Sequence, residues 1–169
     1  MKHLLKLGAF VALLMVGVQA QAQNKFGHIN SDQLLTLMPE TAAAQTELQK
    51  FNAELEGQLK EMYDEYQKKV TEFQNGGELM TDPVRQTKLN NIQDLEARIN
   101  EFQQTATQSL QEKEVELLTP VIEKAQNAID KVGKVNGFTY VFDTSKGVVL
   151  FAAEGQDITD LVKKELGLQ

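Results

Sequence analysis

Residues that could carry out catalysis or bind a metal are few in this chain of 169 residues. It has no cysteine and two histidines, of which only His28 lies outside the apolar N-terminal segment. Zinc sites in proteins take three or four ligands, mostly cysteine and histidine, so a single histidine predicts no zinc site. Ser145 is close to Asp143 in sequence, but no base is placed to activate its hydroxyl, and a turn accounts for both residues. We therefore predict no catalytic residue, no metal site and no cofactor.

Two further patterns in the sequence do not indicate a catalytic or a phosphate-binding site. A group of carboxylates falls on the polar side of a long helical pattern, where solvated acidic residues are common. The group comprises Glu54, Glu56, Glu61, Asp64 and Glu65. The pair Gly76-Gly77 lacks the preceding strand and the lysine that a phosphate-binding loop requires. We predict that the protein is not an enzyme.

Most of the chain belongs to two long helical patterns separated by one break. The first runs from Pro39 to Gln74, the second from Pro83 to Val132, and the break is at Asn75-Gly76-Gly77. At 1.5 Å per residue these helices would be about 55 Å and about 75 Å long. A small domain is only about 30 Å across, so the helices must project from any globular body. Such an arm suits a protein that reaches, holds or spaces another molecule.

Both helical patterns carry an apolar stripe. The first stripe consists of Phe51, Leu55, Leu59, Met62, Tyr66, Val70 and Phe73, and the second of Ile92, Leu95, Ile99, Phe102 and Ala106. The second has the alternating steps of three and four residues that are typical of a coiled-coil seam, and the first has a slightly longer period. Neither helix would be stable alone in water. We therefore expect the two stripes to pair as an antiparallel coiled-coil hairpin.

The N-terminal segment has the pattern of a secretory signal peptide. Lys2 and Lys6 precede an apolar run over residues 7–18, and Ala20-Gln21-Ala22 offers a cleavage site between small residues. The run is shorter than the roughly 20 residues that span a bilayer. We predict that residues 1–22 are removed near Ala22 and that the mature protein is exported. The absence of cysteine suits a bacterial periplasm.

The mature chain would be acidic. Loss of Lys2 and Lys6 reduces the 17 basic residues to 15, against 24 acidic ones, which gives a net charge of −9. Charge of this sign disfavours contact with nucleic acid and with anionic lipid. We predict that nucleic acid is not a partner and that the protein does not insert stably into a membrane.

The residues outside the two long helices form a small body with predicted strands. Lys25 to Asn30 has the pattern of a short strand, and the β-rich runs 138–142 and 148–151 are joined by 143–147, which resembles a hairpin loop. Pro120 marks the point where the second long helix should leave the arm. The predicted divisions are the signal peptide, 1–22; the first strand and short helix, 23–38; the arm, 39–119, with its tip at 75–82; and the helix end, β-hairpin and C-terminal helix, 120–169.

One chain of this size cannot cover three short strands that have apolar side chains on both faces. Unpaired strand edges and exposed phenylalanines favour association with other chains. The predicted interface residues are Phe26, Ile29, Phe138, Tyr140, Phe142, Val149 and Phe151. The predicted fold class is thus α+β and mostly α, with a long antiparallel coiled-coil hairpin projecting from a small β body that homo-oligomerisation completes.

The order of these parts resembles the OmpH/Skp family of periplasmic chaperones. The segments that carry the resemblance are Lys25-Phe26-Gly27-His28-Ile29-Asn30, Leu118-Thr119-Pro120-Val121-Ile122-Glu123-Lys124, Asn136-Gly137-Phe138-Thr139-Tyr140-Val141-Phe142-Asp143 and Asp157-Ile158-Thr159. The resemblance implies a trimer with a central barrel of strands and three arms that enclose a cavity. It also implies that unfolded outer-membrane β-barrel proteins are held there without ATP. The family's best-known member is strongly basic, whereas this chain is acidic, which shifts the weight of client binding to apolar and hydrogen-bonding contacts.

Side chains outside the seam are the candidates for client binding, because seam residues contact the partner helix. Tyr63 lies beside Met62 of the seam, and Leu79 and Met80 lie near the tip of the arm. Methionine adapts readily to variable partners. Each candidate also has a simpler explanation. Tyr63 could pack at the edge of the seam, and Leu79 with Met80 could form a small cluster that closes the tip.

Two functions from different classes fit these features. The first is an ATP-independent periplasmic holdase that binds unfolded outer-membrane β-barrel proteins and prevents their aggregation. The alternative is a coiled-coil spacer or adaptor that organises a cell-envelope assembly and docks through the arm tip. The polarity of the arm face that lines a cavity would distinguish them, and which face that is depends on the assembly.

Overall fold

A computed structural model describes residues 24–152 and 155–168. The predicted signal peptide, residues 1–22, lies outside these residues. A 3₁₀ turn, Gly77–Leu79, lies between the two longest helices. In chain order the other elements are β1 (Phe26–Ile29), α1 (Ser31–Leu37), α2 (Pro39–Gly76), α3 (Asp82–Val135), β2 (Tyr140–Asp143), β3 (Gln156–Asp157) and α4 (Thr159–Glu165).

The arm is an antiparallel pair formed by α2 and α3. The 38 residues of α2 and the 54 residues of α3 correspond to lengths of about 57 Å and about 81 Å. Contacts along the arm follow the antiparallel order, because Glu72 lies against Lys88 near the tip and Glu40 against Lys124 at the base. The hydrogen bond from the Lys124 ammonium lowers the pKa of Glu40. The predicted mostly helical fold, with a long hairpin on a small sheet, is confirmed.

The seam of the arm is buried unequally by its two helices. Ile92, Leu95 and Ile99 of α3 are buried, whereas the stripe from Phe51 to Phe73 on α2 is half-buried throughout. A pair of helices has no third layer to cover it, so part of the seam stays in contact with solvent. The residues of both predicted stripes nevertheless face the partner helix.

A glycine-rich turn closes the tip of the arm. Gly77 ends α2 with φ of 41°, a backbone conformation that favours glycine. A Cβ atom on Gly76 would lie 1.7 Å from Cε of Met80, so the methionine side chain occupies the space that glycine leaves. Arg85 donates a hydrogen bond of 3.0 Å to the Gly77 carbonyl and ties the start of α3 to the turn.

The core of the body lies between the last part of α3, the sheet and the two short helices. Pro120 is inside α3, and the helix continues through it to Val135. Beyond this proline, one apolar face of α3 packs against the sheet. Ile29 of β1 is buried on the face of the sheet that contacts α3. The buried residues of the core are Ile29, Leu34, Met38, Val121, Ala125, Ala128, Val132, Ile158 and Val162.

The predicted β-hairpin of 138–142 with 148–151 is wrong, because β2 pairs with β1 in a parallel sheet and the described residues 148–151 are not part of that sheet. β1 is the central strand, and β2 and β3 both run parallel to it on its two sides. Parallel strands cannot be joined by a tight turn. After β2, the Thr144 amide donates to the Ile29 carbonyl at 2.9 Å and extends the pairing with β1, so the chain does not turn back on β2. In the described chain, residues 148–151 form no strand.

Asp143 fixes the end of β2 to the start of α1. Its carboxylate accepts hydrogen bonds from the Ser31 amide and hydroxyl, at 3.2 and 2.6 Å, and from the Ser145 amide and hydroxyl, at 2.9 and 3.0 Å. Partial burial disfavours the charged form, but these hydrogen bonds outweigh it and lower the pKa of Asp143 to about 2. The pairing of Ser145 with Asp143 is therefore structural, as the sequence indicated.

This anchor predicts a pH-dependent loss of stability in Asp143→Asn. Because the pKa of Asp143 is lower in the folded chain, its stabilisation is complete above about pH 4 and is lost as the pH falls through about 2. We expect the substitution to reduce the free energy of unfolding by about 2 kcal/mol at neutral pH. Urea unfolding followed by circular dichroism, at neutral and at acid pH, measures the difference.

The control for Asp143 is Asp94→Asn, which changes an exposed carboxylate of α3. This variant should unfold as the unmodified protein does at both pH values. A constant difference between Asp143→Asn and the unmodified protein down to about pH 2 would contradict the assigned role of the charged carboxylate.

The seam gives a second prediction. Leu95 is 2% exposed, so Leu95→Ala should lower the free energy of unfolding by about 2–3 kcal/mol through lost burial and a residual cavity. Val115 is on the same helix and 65% exposed, and Val115→Ala should change the free energy by less than about 0.5 kcal/mol. Thermal or urea unfolding measures both variants, and equal effects would mean that the seam does not stabilise the arm.

Candidate functional site

The outer face of the sheet carries a row of three aromatic rings, which we call the aromatic face (Phe26, Tyr140 and Phe142). Neighbouring ring centroids are 6.1 to 6.2 Å apart, within the range of favourable aromatic pairs. The strand register explains the row, because Phe26 is opposite Tyr140 and His28 is opposite Phe142. The three residues are 41%, 60% and 45% exposed, so a stacked apolar surface faces solvent in the single chain.

A large groove runs beside the aromatic face, between the sheet and the segment that follows β2. We call it the sheet groove. Its volume is about 1040 Å³, and its lining includes Phe26, Phe142, Val149 and Phe151. Val148, Leu150 and Phe151 are strongly exposed. Soluble monomers rarely expose contiguous apolar patches of this kind, and such patches usually mark an interface.

The structure brings together five of the seven predicted interface residues. Phe26, Tyr140, Phe142, Val149 and Phe151 lie on the aromatic face or line the sheet groove.

Ile29 and Phe138 lie elsewhere. Side chains alternate along a strand, so Ile29 points away from Phe26 and His28 and is 2% exposed in the core. Phe138 precedes β2 and packs against the same core, with the Lys25 ammonium 4.2 Å above its ring.

Val148 and Leu150 were not among the predicted interface residues. The available signal was the continuous apolar run 148–151, of which only alternate members were assigned to the interface. In a paired strand, alternate side chains would turn to opposite faces. Without pairing, Val148 and Leu150 are both exposed, and both line the sheet groove.

The client-binding candidates lie in three different environments. Tyr63 is 42% exposed, and its hydroxyl accepts a hydrogen bond of 3.0 Å from Nε2 of Gln103 across the arm. Leu79 is 94% exposed at the tip. Met80 is half-buried against Gly76. Tyr63 and Leu79 thus present apolar surface to solvent, whereas Met80 mainly closes the tip.

The described residues contain little that could do bond chemistry. Across the sheet, His28 is opposite Phe142 and Asp157, and neither is a nucleophile that it could activate. Asp157 accepts hydrogen bonds from the Thr159 hydroxyl and amide at 2.6 and 2.8 Å, and these lower its pKa and fix the start of α4. Within the described ranges, no group of three or more histidine, aspartate or glutamate residues could hold a metal ion.

The arm helices are amphipathic rather than apolar. Among the residues that the structure describes, no helix is both long and apolar enough to cross a membrane. The surfaces that the chain exposes are the aromatic face with its groove and the sides and tip of the arm.

Comparison with known proteins gives consistent relatives over nearly the whole chain. The chaperone protein Skp of Photorhabdus laumondii is 26% identical over 169 residues, which cover 98% of this chain and 99% of that protein. The chaperone protein Skp of Vibrio cholerae is 23% identical over 150 residues, which cover 86% of this chain and 88% of that protein. Both relatives are named as chaperones.

A solved structure has the same fold. It is a Caulobacter crescentus protein described as an OmpH-like outer membrane chaperone, and it superposes with a TM-score of 0.73 over 89% of this chain and 88% of its own, at 15% identity. The family model for outer membrane proteins of the OmpH-like type matches residues 25–166. The chain is therefore a member of the OmpH/Skp family of chaperones.

Proposed function

We propose that this protein is an ATP-independent periplasmic holdase that binds unfolded outer-membrane β-barrel proteins between its arms and prevents their aggregation. The observation that carries the proposal is an arm longer than any small domain, whose seam is closed within the chain while Tyr63 and Leu79 stay exposed. Membership of a chaperone family supports the same conclusion.

In this proposal three copies of the chain form the working unit. The aromatic face and the sheet groove are apolar and uncovered in the single chain, and copies of the same surface would cover them. Among the described residues, β2 and β3 are the edge strands of the sheet, and further strands can add to them. Joining three bodies in this way would place three arms around one cavity.

Client binding in such a cavity rests on weak contacts. Each apolar side chain that a client covers contributes little, and many contacts together hold the chain yet allow release without an energy source. Tyr63 and Leu79 are the proposed contacts, with Met80 as a minor one because Gly76 already covers part of it. Tyrosine suits this role because its ring packs while its hydroxyl hydrogen-bonds.

The periplasmic location is part of the proposal. It rests on the signal-peptide pattern of residues 1–22 and on the names of the relatives. The proposed partners do not include nucleic acid, because the mature chain is acidic. For the same reason, we propose no stable insertion of the protein into a membrane.

The alternative is a coiled-coil spacer or adaptor in the cell envelope. The exposed leucine at the tip is the observation that favours it, because a single projecting apolar side chain could dock into a folded partner. A spacer needs no apolar contacts along the sides of the arm, whereas a holdase does. Tests on Tyr63, which lies mid-arm, therefore separate the two.

Assembly through the aromatic face is tested with Phe142→Ser. We expect the unmodified mature chain, residues 23–169, to sediment as a trimer, and the variant to shift towards smaller species at the same concentration because an aromatic contact is lost. Val84→Ser is the matched control, since Val84 is similarly exposed but lies on the arm. A stable folded monomer formed by the unmodified chain would overturn the proposed assembly.

Holdase activity is tested by diluting a urea-unfolded porin into the mature chain and following light scattering. We expect aggregation to be suppressed near one oligomer per client, without nucleotide. Tyr63→Ser and Leu79→Ser should each raise the concentration needed by about two- to fivefold, because each removes one exposed apolar contact.

Thr81→Ser, a polar change beside the tip, is the control for the two arm variants. Unchanged aggregation over a wide excess of the unmodified chain would rule out the holdase and favour the spacer. An effect of Leu79→Ser without any effect of Tyr63→Ser would also favour docking through the tip.

A further inference from the structure

Nearly all of the net charge of the mature chain lies on the arm. Residues 39–119 contain 16 acidic and 8 basic residues, a net charge of −8. The rest of the mature chain, 23–38 and 120–169, contains 8 acidic and 7 basic residues, a net charge of −1. The surface that would meet a client is therefore strongly acidic, while the body is almost neutral.

A groove lies between α2 and α3 halfway along the arm, and we call it the mid-arm groove. Its volume is about 470 Å³. Met62 and Phe102, two half-buried residues of the seam, supply its apolar lining. The other lining residues are polar or charged, and they are Gln58, Glu61, Glu65, Arg98, Glu101 and Thr105.

The charges around this groove are not balanced. Three carboxylates, those of Glu61, Glu65 and Glu101, face one guanidinium, that of Arg98. Glu65 pairs with Lys69 at 3.3 Å. Among the described residues, the carboxylates of Glu61 and Glu101 form no ion pair. Two acceptors beside an apolar lining are therefore available to a cationic partner.

The same side of α2 carries charges of both signs. Glu47, Glu54 and Glu61 are seven residues apart, a spacing that keeps residues on one side of a helix, and Lys68 is the next residue at this spacing. Glu47 pairs with Lys50, and Glu72 with Lys88. The opposite side of the arm differs, since it carries the hydrogen bond between Tyr63 and Gln103. The arm thus has one side with the groove and the carboxylates of Glu61 and Glu101, and one side with an exposed aromatic ring.

The carboxylates beside the groove do not form a metal site. In the part of the chain that the structure describes, no three carboxylates approach closely enough to hold a metal ion. The carboxylates instead line an open groove whose apolar part consists of Met62 and Phe102, an arrangement that fits a chain with both apolar and charged side chains.

We propose that the mid-arm groove binds segments of unfolded clients in which lysine or arginine lies next to an apolar residue. The inference rests on the proposed holdase function and specifies its clients. The apolar side chain of the segment contacts Met62 and Phe102, and its ammonium or guanidinium groups bind Glu61 and Glu101. The contacts with Glu61 and Glu101 are exposed and weak, so binding is reversible and its charged part is screened by salt.

The proposal is tested with two unstructured fluorescent peptides that share their leucine and serine positions, one with lysine where the other has glutamate. At low ionic strength, the mature oligomer should bind the lysine peptide about tenfold more tightly than the glutamate peptide, and the difference should shrink as salt is added. The double variant Glu61→Gln/Glu101→Gln should weaken binding of the lysine peptide about three- to tenfold.

Glu56→Gln/Glu96→Gln is the matched control, because it removes the same charge from residues that do not line the groove. It should leave binding of the lysine peptide within about twofold of the unmodified protein. Circular dichroism and sedimentation of both double variants should match the unmodified protein, since glutamine is a good helix former at exposed positions. Equal weakening by the two double variants would overturn the groove as the binding surface, and equal affinity for the two peptides would overturn the client class.

Porin aggregation, measured with the same proteins, separates this inference from the proposed function. Suppressed aggregation with no preference between the peptides would leave the holdase intact and overturn the inference. Undiminished aggregation together with selective binding of the lysine peptide would overturn the holdase and support the groove as a binding surface.

Discussion

The pairing of α2 with α3 is the interaction on which the rest of the structure depends. Neither helix has a strong enough intrinsic preference to remain helical alone in water, and the seam stabilises both. The pair also returns the chain to its starting point, where α3 continues past the base of the arm. α3 is 16 residues longer than α2, which is the length of the stretch 120–135 that packs on the sheet. One continuous helix thus stabilises the arm with its first part and the body with its last.

Because the seam residues pair within the chain, the remaining surfaces of the arm are the ones available to other molecules. The apolar side chains with the greatest buried area already contact the partner helix, so the arm presents to solvent isolated groups such as Tyr63 and Leu79 and a groove lined by carboxylates. Such surfaces suit weak binding of many different chains better than tight binding of one. The body is arranged in the opposite way, with its strongest apolar surface, the aromatic face, left uncovered in the single chain.

The arm could be predicted from the sequence, because helical spacing is a local property. The periods of the stripes containing Leu55 and Leu95, and the glycines at the tip, identify the hairpin without knowledge of the tertiary contacts. The sheet could not be predicted in the same way. The residues after Phe142 have the composition of a hairpin loop, but their partners are Ser31 and the end of β1, which are distant in sequence. The positions of Ile29 and Phe138 depend on the same pairing, which local patterns do not reveal.

The separation of the paired strands imposes an order on folding. Phe26 pairs with Tyr140, and 113 residues lie between them. Contacts this distant form slowly unless intervening structure shortens the path, and the folded arm does so by bringing its two ends together. When a chain is synthesised from its N-terminus, β1 can pair with β2 only after almost the whole protein has been made. A chain truncated before β2 can therefore form an arm but not the sheet that carries the aromatic face, so only a nearly complete chain presents that surface.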